Sequence, residues 1–384
     1  MTDILTHKPK TRRFNFRTAT EFASKQRGVS AGRIGLETML LSLGSRRLSA
    51  EDYFLHGAWR PGLTWAERRS FIGSRPNLAL NTALNPSWTP EARERTRDKL
   101  HADALFRASG LPVAETRAVA ATADPGRGYR WLPDPRAVLA YLREPGALPC
   151  FGKPVHGSVG VGAVRLEAWE DEDNLRLGDG RRVAAADLVT ELWAKHAEGY
   201  IFAEIVHPHP GLARLIGPVI GTLRVVTADA GRGPEPLYAV LKTPAPGATV
   251  DSLAGPLGGY AAVDLVSGRI LREQDRRRMG GVDRETNIVT GIALAGETLP
   301  DFAGALATAR AAHACLDGHG ILGIDILLSD RGPLVNEANS NPHHSTYQIA
   351  MARGVLNPDI LPRLQEVRAR FRSVTPRPKY CPLK

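Results

Sequence analysis

The stretch "GILGIDILLSDRGPLVNEANSNPHH", Gly320 to His344, sets an aspartate, a glutamate and an asparagine into an otherwise apolar pattern. "SDRGP" is turn chemistry between two runs of alternating side chains, which predicts a β-hairpin. Alternation puts Asp325 on the side opposite Ile324 and Ile326, and gives Glu337 and Asn339 a shared side of the second strand. With the turn centred at Arg331, Asp325 lies opposite Glu337, and three oxygen-bearing side chains converge. Two carboxylates brought together repel unless a cation or proton offsets them. Hard Mg²⁺ or Mn²⁺ accepts this oxygen set and leaves positions for phosphate oxygens. Taken alone, the stretch is equally a solvated hairpin with its acids in water. The apolar neighbours of Asp325 weigh against that, because burying a lone carboxylate is costly.

Working outward, "FGKPVHGSVGVG" contains Lys153 followed by Gly157, Ser158, Gly160 and Gly162. Glycines let backbone N–H groups approach phosphates, while a lysine supplies a point charge and a serine a hydroxyl. The run is neither a P-loop nor a dinucleotide fingerprint, and a plain glycine-rich hairpin explains it as well. Lys99 begins a helix-compatible segment and either points to a phosphate or faces solvent. Glu204 lies in the strand-like "IFAEIV", where it either accepts hydrogens from a ribose or adenine, or is an edge-strand acid. Arg224 in "GTLRVV" and Lys242 in "AVLKT" interrupt apolar strands; each neutralises a phosphate or substrate carboxylate, or snorkels outward.

The 384 residues can bury a large core, and 43% hydrophobic composition favours a globular chain over a disordered one. A net charge of +10 suits an acidic ligand such as a nucleotide, phosphorylated metabolite, nucleic acid or membrane surface, although arginines that merely solvate the surface give the same total. No compact basic stripe marks a specific nucleic-acid partner. Cys150, Cys315 and Cys381 form neither a disulfide framework nor a metal knuckle, which favours a reducing compartment. With no transmembrane-length apolar run, a cytoplasmic location is expected, with a basic N-terminal end able to touch a membrane.

Periodicity predicts helices at Ser30 to Leu43, with Ile34, Leu36, Met39, Leu40 and Leu43 as its apolar set, at "SAEDYF", and at "TWAERRSFIG" with Thr64 as cap. A further helix is predicted from a cap at Thr89 through Leu105 to Gly110 and Pro112, with others at Asp134 to Leu142, Ala186 to Ala197 and Pro300 to Leu316. Strands are expected at "ETRAVA", on both sides of the glycine run, and at "YIFAEIV", "GTLRVVTA", "PLYAVLKT" and "YAAVDLV". Residues 125–135 read as a loop and 167–186 as a solvated hairpin insertion. This order fits an α+β architecture better than a regular βαβ array. His207 and His209 lack further zinc ligands, His313 reads as structural, and Trp59 and Trp65 read as packing groups.

The ordered set Lys99, Lys153 with its glycines, Glu204, Arg224, Asp325, Glu337 and Asn339 resembles the ATP-grasp superfamily. "GRIGLETMLLSLG", "TRDKLHADALFRASGLPVAET", "GTLRVVT", "GGYAAVDLVSG" and the opening hairpin look like its sugar-transfer-associated family, related to glutamate-ligase-like carboxylate-amine ligases. The resemblance implies an ATP-grasp fold with a helical N-terminal extension. Its expected domains are a basic tail and helical extension (1–88), a first subdomain with the glycine-rich lid (89–203), a second with the metal-binding hairpin (204–360), and a basic C-terminal helix and tail (361–384). It implies ATP phosphates near Lys99, Lys153 and the glycine loop, adenosine near Glu204, and Mg²⁺, or Mn²⁺ in its place, on Asp325, Glu337 and Asn339. Arg224 would stabilise the transferred phosphate, with Lys242 facing phosphate, substrate or solvent. The implied activity joins a small-molecule carboxylate to an amine through an acyl phosphate, releasing ADP and phosphate. An ATP-dependent small-molecule kinase on the same scaffold is the alternative, and the acid, the amine and the oligomeric state stay open. "NEANSNP" departs from the shorter Glu-x-Asn element of many members, so Asn336 and Asn341 are expected to reshape the surroundings, and Asn341, His343 and His344 are unassigned.

Overall fold

A computed structural model describes residues 4–5, 14–43, 47–85, 95–157, 160–249, 257–275, 283–374 and 378–383. Thr89 and Ser158 lie outside the described residues.

The leading region is helical, and four of its described helix starts carry a side-chain cap. Asn15, Ser30, Ser49 and Thr64 accept backbone N–H bonds at the starts of helices Phe16–Arg27, Ala31–Ser42, Ala50–Leu55 and Trp65–Arg68, and Glu67 reciprocates to Thr64 in a capping box. Helix Ser74–Leu84 follows. One expectation is inverted. Helix Ala31–Ser42 forms as expected, but its buried face is Ile34, Glu37, Thr38 and Leu41, while Leu36, Met39, Leu40 and Leu43 are exposed. The reason is a fixed polar pairing: Glu37 accepts from Arg27 at 2.6 and 2.9 Å and from Tyr53 at 3.1 Å, which turns the glutamate inward. Trp59 packs in this cluster, whereas Trp65 is 43% exposed and is not a core residue.

Two mixed-connection sheets follow. The first comprises β1 (Thr116–Ala120), β2 (Trp131–Leu132), β3 (Cys150–Pro154), β4 (Val164–Trp169), β5 (Asn174–Leu177), β6 (Arg182–Ala184) and β7 (Tyr200–Ala203) in the order β2-β1-β7-β3-β4-β5-β6. The segment expected to be loop at 125–135 thus contributes β2, which pairs with β1 in parallel. Helices Pro135–Leu142 and Ala185–His196 cover one face. The second sheet comprises β8 (Thr222–Ala228), β9 (Glu235–Thr243), β10 (Gly259–Val263), β11 (Ile270–Asp275), β12 (Asp283–Arg284), β13 (Ile321–Ser329) and β14 (Gly332–Asn339) in the order β12-β11-β10-β9-β8-β13-β14. Its neighbouring strands are antiparallel. Helices Pro210–Ile216 and Phe302–Ala314 pack on one face; Ser74–Leu84 and Leu361–Phe371 pack on the other.

Helix Lys99–Ala108 joins the two sheets. Asp98 caps its start, so Lys99 is its first residue rather than a position inside a longer helix. Leu100 packs with β1, β7 and Val155 just past β3, while Ala102 and Phe106 pack into the core beneath the second sheet. This wedge places one lysine between two layers.

Candidate functional site

β8 and β13 are buried along their whole lengths, yet each carries one charged residue. Antiparallel pairing sets Asp325 beside Arg224 on one flank and Glu337 on the other. The guanidinium meets the carboxylate through two contacts, Nε to Oδ1 and Nη2 to Oδ2, the latter 2.8 Å. Lys242 Nζ donates to Asp325 Oδ2 at 3.1 Å, so it turns inward rather than snorkelling. Burial by itself would raise the Asp325 carboxyl, but Arg224 and Lys242 outweigh it and hold the group below its usual range. Burial works against the Arg224 cation as well, and Asp325 reverses that, raising its pKa.

The expected pairing of Asp325 with Glu337 is present, by a route different from a turn centred at Arg331. Ser329 pairs with Gly332, and that register continues to Ile326 with Val335. A bulge then skips Asn336 and brings Glu337 opposite Asp325. The bulge gives Asn336 a separate job: its Oδ1 accepts from Lys153 Nζ at 3.3 Å, linking β3 of the first sheet to β14 of the second. In the amide orientation that satisfies both neighbours, Asn339 donates to Glu337 Oε1 at 3.1 Å and accepts from Arg224 Nη2 at 3.3 Å.

Lys99 Nζ donates to the carbonyls of Val155 at 3.2 Å and Gly157 at 2.8 Å, tying the glycine turn to the helix that bridges the sheets. Burial pushes the Lys153 ammonium down to about 8; Lys99 adds to this, while Glu337 and Asp103 oppose it. Burial lowers Lys99 too, with Glu337 and Asp98 opposing. Gly160 and Gly162 have φ of +70° and +79°, the left-handed region that favours glycine. Gly157 does not share that need. A cavity lined in part by Lys99, Asp103, Asn336 and Glu337 has a volume of about 20 Å³, room for one water.

Glu204 sits just past the end of β7. Its Oε1 accepts from the Glu115 N–H at 2.8 Å and from Arg331 Nη2 at 2.5 Å, joining the sheets through the hairpin turn. Burial alone would raise its pKa, but these two donors outweigh that and lower it.

The residues missed by sequence reasoning are Asn77, Asn81 and Asn85. They recur every fourth position on the Ser74–Leu84 helix and its C-cap, and all are buried. Asn85 accepts from the Gly320 and Ile321 N–H groups at 2.9 Å each and donates to Ser340 O at 2.8 Å, fastening both open ends of the hairpin. Asn81 donates to Asn341 Oδ1 at 2.7 Å and Pro342 O at 2.9 Å. Asn77 accepts from the His344 N–H at 2.9 Å. The His344 ring, neutral because burial pushes it down to about 3, lies 3.0 Å from Asn81 Oδ1 and 2.8 Å from the Tyr238 hydroxyl. Asn341 and His344 are therefore anchors, while His343 is exposed. The spacing "PNLALNTALNP" was the available signal. His313 is structural as expected, bonded to Thr227 at 2.7 Å and to the His319 carbonyl at 2.9 Å. His209 caps helix Pro210–Ile216 through Gly211 N.

Among known proteins, the profile of the family described as sugar-transfer associated ATP-grasp matches residues 81–368. No curated protein matches. Similar solved structures include carboxyaminoimidazole ribonucleotide synthase from Aspergillus clavatus complexed with ATP (17% identity, TM-score 0.39, 68% of this chain and 48% of that one). They also include the D-alanine-D-alanine ligase from Coxiella burnetii (13%, 0.41, 73% and 59%) and the L-amino acid ligase from Bacillus licheniformis (12%, 0.40, 73% and 48%). The chain thus spans about half the length of these solved proteins.

Proposed function

Because the chain belongs to the sugar-transfer associated ATP-grasp family, we propose that it is an ATP-dependent carboxylate-amine ligase. The observation that carries this reading is the convergence of cations from two sheets on one acidic hairpin. Arg224 and Lys242 reach Asp325 from the second sheet, and Lys153 reaches Asn336 of the same hairpin from the first. Such an arrangement suits a polyanion held between layers.

In this reading a substrate carboxylate oxygen attacks the γ-phosphorus of ATP, the bond to the bridging oxygen breaks, and ADP leaves. An amine then attacks the acyl carbon, the carbon–oxygen bond to phosphate breaks, and the amine's proton is lost to solvent or buffer. Lys153 and Lys99 neutralise charge on the phosphates, and Arg224 stabilises the transferred phosphoryl group. Oxygen donors Asp325, Glu337 and Asn339 fit a hard divalent ion by their chemistry, and Mg²⁺ held there would offset charge on the phosphoryl oxygens. In the ligand-free arrangement Arg224 and Lys242 already satisfy Asp325, so Glu337 and Asn339 are the readier donors. Admitting a nucleotide requires the glycine turn to move, because Lys99 now spends its hydrogen bonds on that turn's carbonyls. Closure over the acyl phosphate would exclude water.

The test is an ATP-dependent screen of small-molecule carboxylic acids and alcohols with hydroxylamine as the trapping amine. Hydroxamate formed together with ADP supports the ligase. A stable phosphorylated alcohol without hydroxamate assigns a kinase instead.

A further inference from the structure

Helix Ala31–Ser42 turns its apolar side outward. Leu36, Met39, Leu40 and Leu43 are 52%, 54%, 44% and 63% exposed and recur at the three- and four-residue spacing of one helix face. The opposite face, which packs into the protein, carries Glu37 and Thr38. This orientation is held by polar contacts: Arg27 and Tyr53 bind Glu37, and the Thr38 hydroxyl donates to Ile34 O at 2.8 Å. Rolling the leucines inward would break the Glu37 pair.

The surroundings of the stripe select its partner by charge. Residues 1–47 contain ten Lys/Arg against three Asp/Glu, seven of the chain's net charge of +10. Four of these cations, Lys8, Lys10, Arg12 and Arg13, immediately precede the helical region, and Arg46 and Arg47 closely follow the stripe. Arg17 and Arg33 expose 89% and 64% of their side chains, with Arg17 paired to Glu21 at 2.9 Å and Arg33 to Glu37 at 3.5 Å. One negative charge, Glu37, is already neutralised within the fold. A second copy docking on the same face would bring two strongly positive segments together, which self-repulsion opposes. An apolar row on one helix, about 10 Å long and flanked in the sequence by cations, matches a planar anionic surface.

We propose that the Ala31–Ser42 helix lies on an anionic lipid membrane, with Leu36, Met39, Leu40 and Leu43 inserted among the acyl chains and the flanking Lys and Arg residues on the headgroups. Among the described residues no helix is long and apolar enough to cross a membrane, so this contact is superficial. It would tether the chain that carries the hairpin site to a lipid surface, and it stands whether or not the ligase reading does.

The experiment is cosedimentation of the full chain with phosphatidylcholine vesicles that lack or contain about one third phosphatidylglycerol, at low and high salt. Binding to the anionic vesicles, weakened by salt, is expected, with much weaker binding to phosphatidylcholine alone. Combined Leu36→Ser, Met39→Ser, Leu40→Ser and Leu43→Ser substitution should lower vesicle affinity by about tenfold or more while leaving the thermal midpoint near that of the parent chain. Leu43→Ser alone, at the most exposed of the four positions, should give a smaller loss in the same direction. Absence of binding by the parent chain overturns the proposal, as does equal binding by the substituted one. A dimer in sedimentation velocity that the same substitutions abolish, without vesicle binding, assigns the face to a second copy and equally overturns it.

Discussion

Replacing Asn81 by alanine tests the claim that the helical region fixes the segment after the acidic hairpin. The side chain is fully buried and serves three partners: Asn341 Oδ1 at 2.7 Å, Pro342 O at 2.9 Å and His344 Nε2 at 3.0 Å. Asn77 Nδ2 reaches the first two at 3.3 Å and would retain them more weakly. The neutral His344 ring already faces the Tyr238 hydroxyl through Nδ1, so Nε2–H would lose the acceptor it has. One buried donor left unpaired costs about 1–3 kcal/mol. The vacated volume adds about 1 kcal/mol, and together the loss is about 2–4 kcal/mol. Against a total stability of about 5–15 kcal/mol this is a large fraction. Urea unfolding should show a lower midpoint at unchanged slope. At a temperature where the variant is still folded, divalent-metal-dependent ATP turnover should also fall, because the loop beyond Asn339 is freed. A variant within about 0.5 kcal/mol of the parent, with unaltered turnover, would refute the anchoring argument.

Asp325→Asn should abolish most ATP turnover and destabilise the fold by about 3–5 kcal/mol, since it leaves the buried Arg224 cation short of its counter-charge. Because the Asp325 carboxyl is held below its ordinary value of 3.8, the pair's stability is complete above that value and is lost as pH falls through the lower, folded-state value. Acid unfolding should therefore begin at higher pH in the variant, and coincident acid transitions would argue against the pair. Lys153, pushed down to about 8, is partly neutral near that pH, and phosphate beside it restores the charge. Nucleotide binding at pH 8 to 9 should then take up a proton, read by calorimetry in buffers of different ionisation enthalpy, and Lys153→Ala should lose that uptake. Gly162→Ala should destabilise the glycine turn, because φ is +79° and a Cβ would lie 2.6 Å from both Pro154 Cγ and His196 Nε2; an unchanged melting temperature would count against this.

The sequence by itself determined many of the elements and the charged residues they carry. Caps at Ser30, Ser49 and Thr64, the apolar runs of β8 and β13, and alternation along the hairpin are local signals, because helix and strand periods are written into consecutive residues. They also isolated Arg224, Lys242 and Asp325 as charges within apolar strands, and the match over residues 81–368 agrees with the family likeness those residues suggested. What those charges bind was decided by tertiary structure. Arg224 and Asp325 are 101 positions apart and meet only because β8 and β13 are neighbours in register. Asn336 is offered to Lys153 by a bulge that alternation cannot reveal. The Ala31–Ser42 helix shows the same limit from the other side. Its periodicity fixed a helix, but the partners of Glu37, ten residues back in Arg27 and sixteen ahead in Tyr53, decided which face is buried. A hydrophobic period states that two faces differ; desolvating a charge costs so much that its partners choose which one turns inward.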